Sequence, residues 1–370
     1  MNRLIFHIDV NSAFLSWESV RRVKQGLPDL RSVPACIGGD PKKRTGIVVA
    51  KSIPAKKYGV QTGEPVAMAL RKCPDLVIAK SDFELYIKCS RAFKEICASY
   101  APVMESFSID EVFLDMTGTS LIYPDPVRTA HEIKDKIRNE LGFTVNVGIS
   151  TNKLLAKMAS DFEKPDKTHT LYQREIAQKM WPLPVSALFT CGHSSAETLH
   201  KLGILTIGDL AKTDPAILEA HLKSHGRCLW QYANGIDDST VVLSPSKAKG
   251  IGNSTTLSSD ATTKEEACKV LLSLCESVGR RLRASHQLAG QICTEIRYSD
   301  FRNVSHQMPI DIPTASVNLL YEDACALFDE LWDSTPIRLL GIRTSKLVPE
   351  DEPVQLSLFD FPAPRSEKQQ

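Results

Sequence analysis

A multidomain α+β fold is predicted for this chain by three observations. Residues 1–166 show strand, helix, hairpin, helix, strand and helix patterns in ferredoxin-like order, with a long insertion after the first helix. Residues 182–237 carry helix patterns alone. After a linker at 238–249 containing Ser-Pro-Ser and alternating lysines, helix and strand patterns return over 251–344 as a separate α+β module. At 370 residues the chain is long enough for roughly two to four domains, each with its own core.

The elements follow in order. Residues 4–8 are an apolar strand, and 11–25 a helix with Phe14, Trp17 and Val20 at helical spacing. Residues 28–45 are rich in Gly, Pro and Lys and read as loop with a short strand at 35–37, and 46–50 are a compact apolar strand. SFSIDEVFLD (106–115) reads as a β-hairpin with Asp110 and Glu111 at its tight turn, between the apolar-rich runs 107–109 and 112–114. Residues 128–141 are a helix with Ala130, Ile133, Ile137 and Leu141 on one face, ended by Gly142. Val145, Val147 and Ile149 alternate as a half-buried strand, and a helix begins at Asn152. From Pro349 on, four prolines and many charges predict a disordered tail.

Composition excludes several classes. No apolar run approaches the ~20 residues of a membrane span, and the first residues do not form a secretory signal. Ten cysteines scattered without a C-x-x-C motif read as reduced thiols of a cytoplasmic protein. A net charge of +1 neither supports nor excludes a nucleic-acid partner.

The chemistry begins with three acids. Asp9 ends the first strand, and Asp110 and Glu111 sit on the hairpin. Carboxylates on neighbouring strand ends can hold two hard divalent cations about 4 Å apart, a geometry that serves phosphoryl transfer. Taken alone, an Asp-Glu pair is more often a solvated turn, and Asp9 could merely cap the helix after it.

HIDVNSAF (7–14), SFSIDEVFLD and VGISTNKLLAKMASDFEKPD (147–166), in this order, resemble the Y-family translesion DNA polymerases, in the bacterial DinB and UmuC-like branch. The resemblance covers essentially the whole chain. It implies a right-hand polymerase: a ferredoxin-like palm (1–25 and 76–166), small fingers (26–75), a helical thumb (167–240), a linker (241–249), an α+β little finger (250–346) and a disordered tail (347–370). It implies that Asp9 and Asp110 bridge two Mg²⁺ ions, for which Mn²⁺ can substitute. Glu111 would complete the site near the primer 3′ hydroxyl, and the Val10 backbone carbonyl would be a further ligand. Phe14 matches the family's steric gate against the ribose 2′ hydroxyl, although it could equally be core. Ala13 beside it is usually aromatic. Lys157 looks like the triphosphate-binding lysine, helped by Lys153, and Lys164-Pro165 resembles a Lys-Pro element near DNA. The fingers motif departs from the family, with Ile53 and Lys56 where tyrosine and arginine are usual. Lys56 keeps charge without the planar fork.

Residues 190–211 resemble a helix-hairpin-helix whose Gly192 and Gly203 turns aim backbone amides at a DNA phosphate. Thr190 stands where the first glycine is common. In the last module, Arg280, Arg281 and Arg297 are expected to hold backbone phosphates. Gln355, Leu356, Leu358 and Phe359 resemble a bacterial sliding-clamp peptide. The implied partners are primer-template DNA, deoxynucleoside triphosphates and the clamp, for a monomer with no membrane association. Two rivals remain. One is a palm-domain nucleotide cyclase, suggested by Gly38-Gly39-Asp40; the other is a catalytically impaired DNA-binding repair factor, suggested by Ile53.

Overall fold

A computed structural model describes residues 3–40, 46–243 and 248–351, in two compact units that divide between 245 and 246. The clamp-like peptide at 355–359 lies outside the described residues.

The first unit is built on a five-stranded sheet of order β5-β6-β1-β7-β8. Its strands are β1 (Ile5–Val10), β5 (Val103–Ser106), β6 (Glu111–Asp115), β7 (Val145–Ser150) and β8 (Thr168–Thr170). β1 is central and buried throughout, which is why it reads as a continuous apolar run rather than an alternation. Burial of Ile5, Phe6 and Ile8 contributes about 1.5–3 kcal/mol each. Helices α1 (Ala13–Lys24), α4 (Phe83–Ala98), α5 (Pro126–Leu141) and α6 (Lys153–Ser160) complete this layer. Gly142 ends α5 at φ +80°, as the sequence predicts, while Asp125 caps a start at Pro126, two residues before the predicted 128. α6 lies unusually close to β7 because Gly148 has no side chain. A Cβ there would meet the Ala156 carbonyl oxygen at 2.0 Å.

The insertion forms its own small core under a three-stranded sheet of order β3-β2-β4. It comprises β2 (Ala35–Gly38), β3 (Val48–Lys51), α2 (Ile53–Lys57), α3 (Val66–Lys72) and β4 (Val77–Ala79). Gly38 is a packing glycine here, since a Cβ would meet Val66 Cγ2 at 2.9 Å. That accounts for Gly38 by packing, without any cyclase turn. A third core is helical, containing α7 (Ile176–Lys179), α8 (His193–Lys201), α9 (Ile207–Lys212), α10 (Pro215–Leu222) and α11 (Ser224–Ala233).

The second unit is a four-stranded antiparallel sheet of order β11-β10-β12-β9. The strands are β9 (Gly250–Ala261), β10 (Gln287–Tyr298), β11 (Asn303–Thr314) and β12 (Ile337–Pro349). α12 (Lys264–Ala284) and α13 (Val317–Leu331) cover one face over Ile292, Ile296, Leu340 and Ile342. β12 runs to Pro349, pairing Leu347 with Ala289 and Val348 with Leu288. Residues 347–349 therefore belong to the sheet and not to a disordered tail. Proline is tolerated there because the ladder ends with it.

All ten cysteines are free. Among the described residues, no helix is long and apolar enough to cross a membrane.

Candidate active site

The three acids come together at one end of the central strands. Asp9 and Glu111 are direct register partners across β1 and β6. Asp110 precedes β6, and its carbonyl accepts from the Val10 amide at 3.0 Å. The hairpin differs from expectation. Glu111 already belongs to the strand, and the turn is 107–110, so Phe107 and Ile109 are turn residues. The Ser108 hydroxyl explains this. It donates to Asp110 Oδ1 at 2.6 Å and accepts from the Asp110 amide at 3.2 Å, which stabilises a local turn over strand pairing.

Asp9 is almost fully buried. Burial pushes its carboxyl up to about 6. The Lys164 ammonium opposes that rise, and Glu111 and Asp110 add to it. Lys164 itself, more exposed, is held charged by Asp9 and Asp161. His7 is buried beneath, with Nδ1 2.8 Å from Ser160 Oγ and Nε2 3.7 Å from Glu111 Oε1. Burial, then the nearby lysines, keep its pKa well below the ordinary value, so it is neutral.

This donor set fits a hard divalent cation: carboxylate oxygens on adjoining strand ends, one of them short of compensating positive charge. In the conformation described, Lys164 holds Asp9, Lys157 holds Glu111 at 2.5 Å and Ser108 holds Asp110. Among the described residues no three ligating side chains converge tightly enough to hold an ion.

Beside the acids lies a pocket of about 400 Å³, lined by Asn11, Ser12, Ile53, Thr62 and Pro165 and by three lysines, Lys51, Lys56 and Lys164. No carboxylate lines it. Ser12 adopts φ +48°, a left-handed conformation that starts α1 one residue later. Lys164 is delivered by a tightly tied loop. Asn146 donates to the Glu163 carbonyl at 2.6 Å, Asn11 accepts from the Asp166 amide at 2.9 Å, and Lys134 and Arg138 each pair with Asp166 at 2.9 Å.

Lys157, expected at a triphosphate, does not line this pocket. Its ammonium sits on Glu111 between the Phe107 and Phe189 rings, in a separate cavity. Lys153 pairs with Glu105 at 2.7 Å. Phe14 also lies outside the lining. Its ring stacks on Tyr86 at 4.6 Å and packs against Trp17 and Phe83. Lys51 and Asn11 are pocket residues that sequence reasoning missed. Lys51 had a signal, being a lysine directly after an apolar strand and five residues before Lys56.

In the helical region, Gly203 takes φ +78° and Thr190 takes φ +70°. Thr190 thus adopts the conformation a glycine supplies. The Gly192 amide already donates to the Thr190 carbonyl at 3.0 Å, so a phosphate would have to meet the amides that follow it.

In the second unit the three arginines do not share a surface. Arg280 lines a groove between α12 and β9, and Arg281 Nη1 donates to the Gly252 carbonyl at 2.8 Å. Arg297 lies on the sheet face away from the helices, bonded to Asn303 at 2.7 Å. That open face carries a concavity of about 640 Å³ lined by Lys249, Gly252, Glu295, Gly341 and Arg343. Arg343 and Lys249 are its missed cations.

The raised Asp9 pKa sets a pH dependence. The native carboxyl binds its proton more tightly than an unfolded one. Its contribution to stability is therefore present below about pH 4 and lost as pH rises through about 6. A divalent cation needs the charged form. Its half-saturating concentration is expected to fall about tenfold per pH unit up to about 6, then level off. Metal titration of activity between about pH 5 and 8 checks this; a flat profile would contradict it.

The profile of the impB/mucB/samB family matches residues 8–161, and that of its C-terminal domain matches 248–358. The DNA polymerase IV of Clostridium acetobutylicum is 49% identical over 97% of this chain and 91% of that protein. DNA polymerase IV 1 of Bacillus subtilis is 38% identical, covering 97% and 86%. A solved Y-family DNA polymerase chimera shares the fold, with a TM-score of 0.82, 22% identity, and coverage of 94% of this chain and 99% of the chimera. With both profiles matched in order and near-full-length identity to such relatives, the chain belongs to the impB/mucB/samB family of DinB-like, Y-family polymerases.

Proposed function

We propose that the chain is a template-directed DNA polymerase of the translesion type, adding deoxynucleotides to a primer 3′ end. One observation carries the reading: three acids at adjoining strand ends stand beside a pocket whose charged lining is three lysines and no acid. Such a pair of sites suits a polyanionic triphosphate next to a metal centre. Asp9, Asp110 and Glu111, with the Val10 carbonyl, would hold two Mg²⁺ ions, which Mn²⁺ can replace. When bound, these ions neutralise charge on the phosphates and activate the attacking hydroxyl. Lys164 and Lys56 draw in the triphosphate, and Lys51 adds to the field. The triphosphate role first given to Lys157 passes to Lys164 because Lys164 is the one in the pocket. Ile53, 54% exposed, offers that pocket an apolar surface and no hydroxyl. Primer extension on undamaged and abasic templates tests the reading. Extension on both is expected, and extension on neither would contradict it.

DNA is gripped outside the chemistry by the 190–211 hairpin and by the open sheet face with Arg297 and Arg343. Arg280 and Arg281 serve only a duplex that also reaches the α12 edge. The protein works as a cytoplasmic monomer.

Phe14 is the steric gate in this reading, its ring held in one orientation by Tyr86. Phe14→Ala is expected to raise ribonucleotide insertion relative to deoxyribonucleotide insertion about tenfold or more. An unchanged ratio of catalytic efficiencies would leave Phe14 as packing alone.

The peptide Gln355, Leu356, Ser357, Leu358 and Phe359 is the clamp ligand in this reading. Leu358 and Phe359 are its largest apolar anchors, and a few anchors carry most of a peptide's affinity. The cut that tests it falls after Asp351, because β12 continues to Pro349. This truncation, or Leu358→Ala with Phe359→Ala, is expected to abolish binding to a bacterial sliding clamp by calorimetry while unassisted nucleotide addition persists. Wild-type clamp affinity in the double variant would remove the assignment.

A further inference from the structure

We propose that Lys157, clamped between Phe107 and Phe189, positions Glu111 for phosphoryl transfer; the proposal rests on the polymerase reading above. Lys157 Nζ donates to Glu111 Oε1 at 2.5 Å. The same nitrogen lies 5.4 Å from the centroid of each phenylalanine ring, and the side chain is 11% exposed. The rings are themselves fixed. Phe107 meets Phe113 edge-on at 5.3 Å and Phe189 at 6.3 Å, while Phe189 stacks nearly parallel on Tyr232.

The consequences follow from electrostatics. The faces of two aromatic rings attract the ammonium, and their bulk leaves its side chain little exposed. Glu111 is its single carboxylate partner among the described residues, so the ion pair is weakly screened and geometrically narrow. His7, neutral, approaches the same oxygen at 3.7 Å and does not compete as a charge. Glu111 Oε2 makes no hydrogen bond or ion pair among the described residues and is left for the reaction. Glu111 is thus held by one oxygen and works through the other.

Phe189 belongs to the helical region, and Glu111 to the central sheet. The clamp therefore makes the orientation of a catalytic acid depend on how that region packs. Lys157 is a positioning residue and touches neither nucleotide nor primer. Its cavity, of about 170 Å³, is separate from the lysine-lined pocket.

The test is single-turnover nucleotide addition by the full chain on primer-template DNA. Methionine keeps length and packs on aromatic rings, so Lys157→Met removes charge with little loss of packing. The rate is expected to fall about tenfold or more, with the half-saturating nucleotide concentration within about threefold of wild type. In a Glu111→Gln background the same substitution is expected to cost less than about twofold, because Lys157 acts through that carboxylate. Lys157→Arg restores the rate to within about threefold. Phe189→Leu lowers it about threefold, again only when Glu111 is present. It carries the same test if Lys157→Met melts early.

A raised nucleotide requirement at unchanged rate would make Lys157 a triphosphate ligand and overturn the proposal. Equal losses in both Glu111 backgrounds would make it generic packing and do the same. No addition by the wild type would overturn the polymerase reading itself, whereas wild-type addition matched by Lys157→Met overturns only the role of Lys157.

Discussion

Asp110→Ala is expected to cut nucleotide addition by about 1,000-fold or more while leaving the fold intact. The two halves of this expectation have separate causes. Asp110 lies in a half-buried turn, where among the described residues its carboxylate bonds only to Ser108 of the same turn. Losing that bond costs about 1 kcal/mol, well within the stability of a typical domain. The chemical loss is large because phosphoryl transfer depends on neutralising charge at the reacting phosphate, and Asp110 is one of the carboxylates proposed to hold the cations. Glu111→Ala is expected to be similarly damaging, with an added cost from the stranded Lys157 ammonium. Extension rates beside thermal melts measure both halves. A rate within about tenfold of wild type would remove Asp110 from the metal site.

The second large effect is on nucleotide binding. Lys164→Ala is expected to raise the half-saturating nucleotide concentration about 10- to 100-fold, more than Lys56→Ala and far more than Lys157→Ala. Lys164 lies against Asp9 and lines the pocket, held there by the 161–167 loop. Removing it takes away the cation that opposes the rise of the Asp9 pKa. The pH below which the metal requirement climbs should therefore lie higher in the variant than in the wild type. If Lys157→Ala proved the more damaging to nucleotide affinity, the assignment of the pocket would be wrong.

These expectations show which parts of the molecule were legible in the sequence. The acids stood out because each interrupts or ends an apolar run, and a carboxylate there needs a reason. The central strand was legible for the same reason, since His7 and Asp9 are its only polar interruptions. The hairpin was read with its turn displaced because Phe107 and Ile109 look like strand. Their apolar side chains do pack, Phe107 on Phe113 and Ile109 against the main core, but Ser108 closes the turn around them.

The two lysines were harder. Lys157 and Lys164 are seven apart, and the resemblance implies one at the triphosphate and the other near DNA. α6 ends at Ser160, and the chain then turns. Lys157 stays on the helix facing Phe107 and Phe189, and Lys164 is carried to the pocket. Nothing local in the sequence marks that parting, because the Asn11, Asn146 and Asp166 contacts that hold the loop come from distant strands and helices. The arginines of the second unit part in the same way. Arg280 and Arg281 belong to a helix and Arg297 to the opposite face of the sheet, a separation set by β-strand register.

In the proposed function, the acid trio and the lysine-lined pocket form one metal-dependent, template-reading nucleotidyl-transfer site. Single-nucleotide insertion on four templates, each with a different base opposite the primer end, tests it most directly. Each deoxynucleotide is offered in turn, with Mg²⁺ or with a chelator. The expected result is preferential insertion of the complementary nucleotide on every template, with none when the metal is removed. Nucleotide turnover without primer and template, or insertion indifferent to the template base, would contradict the account.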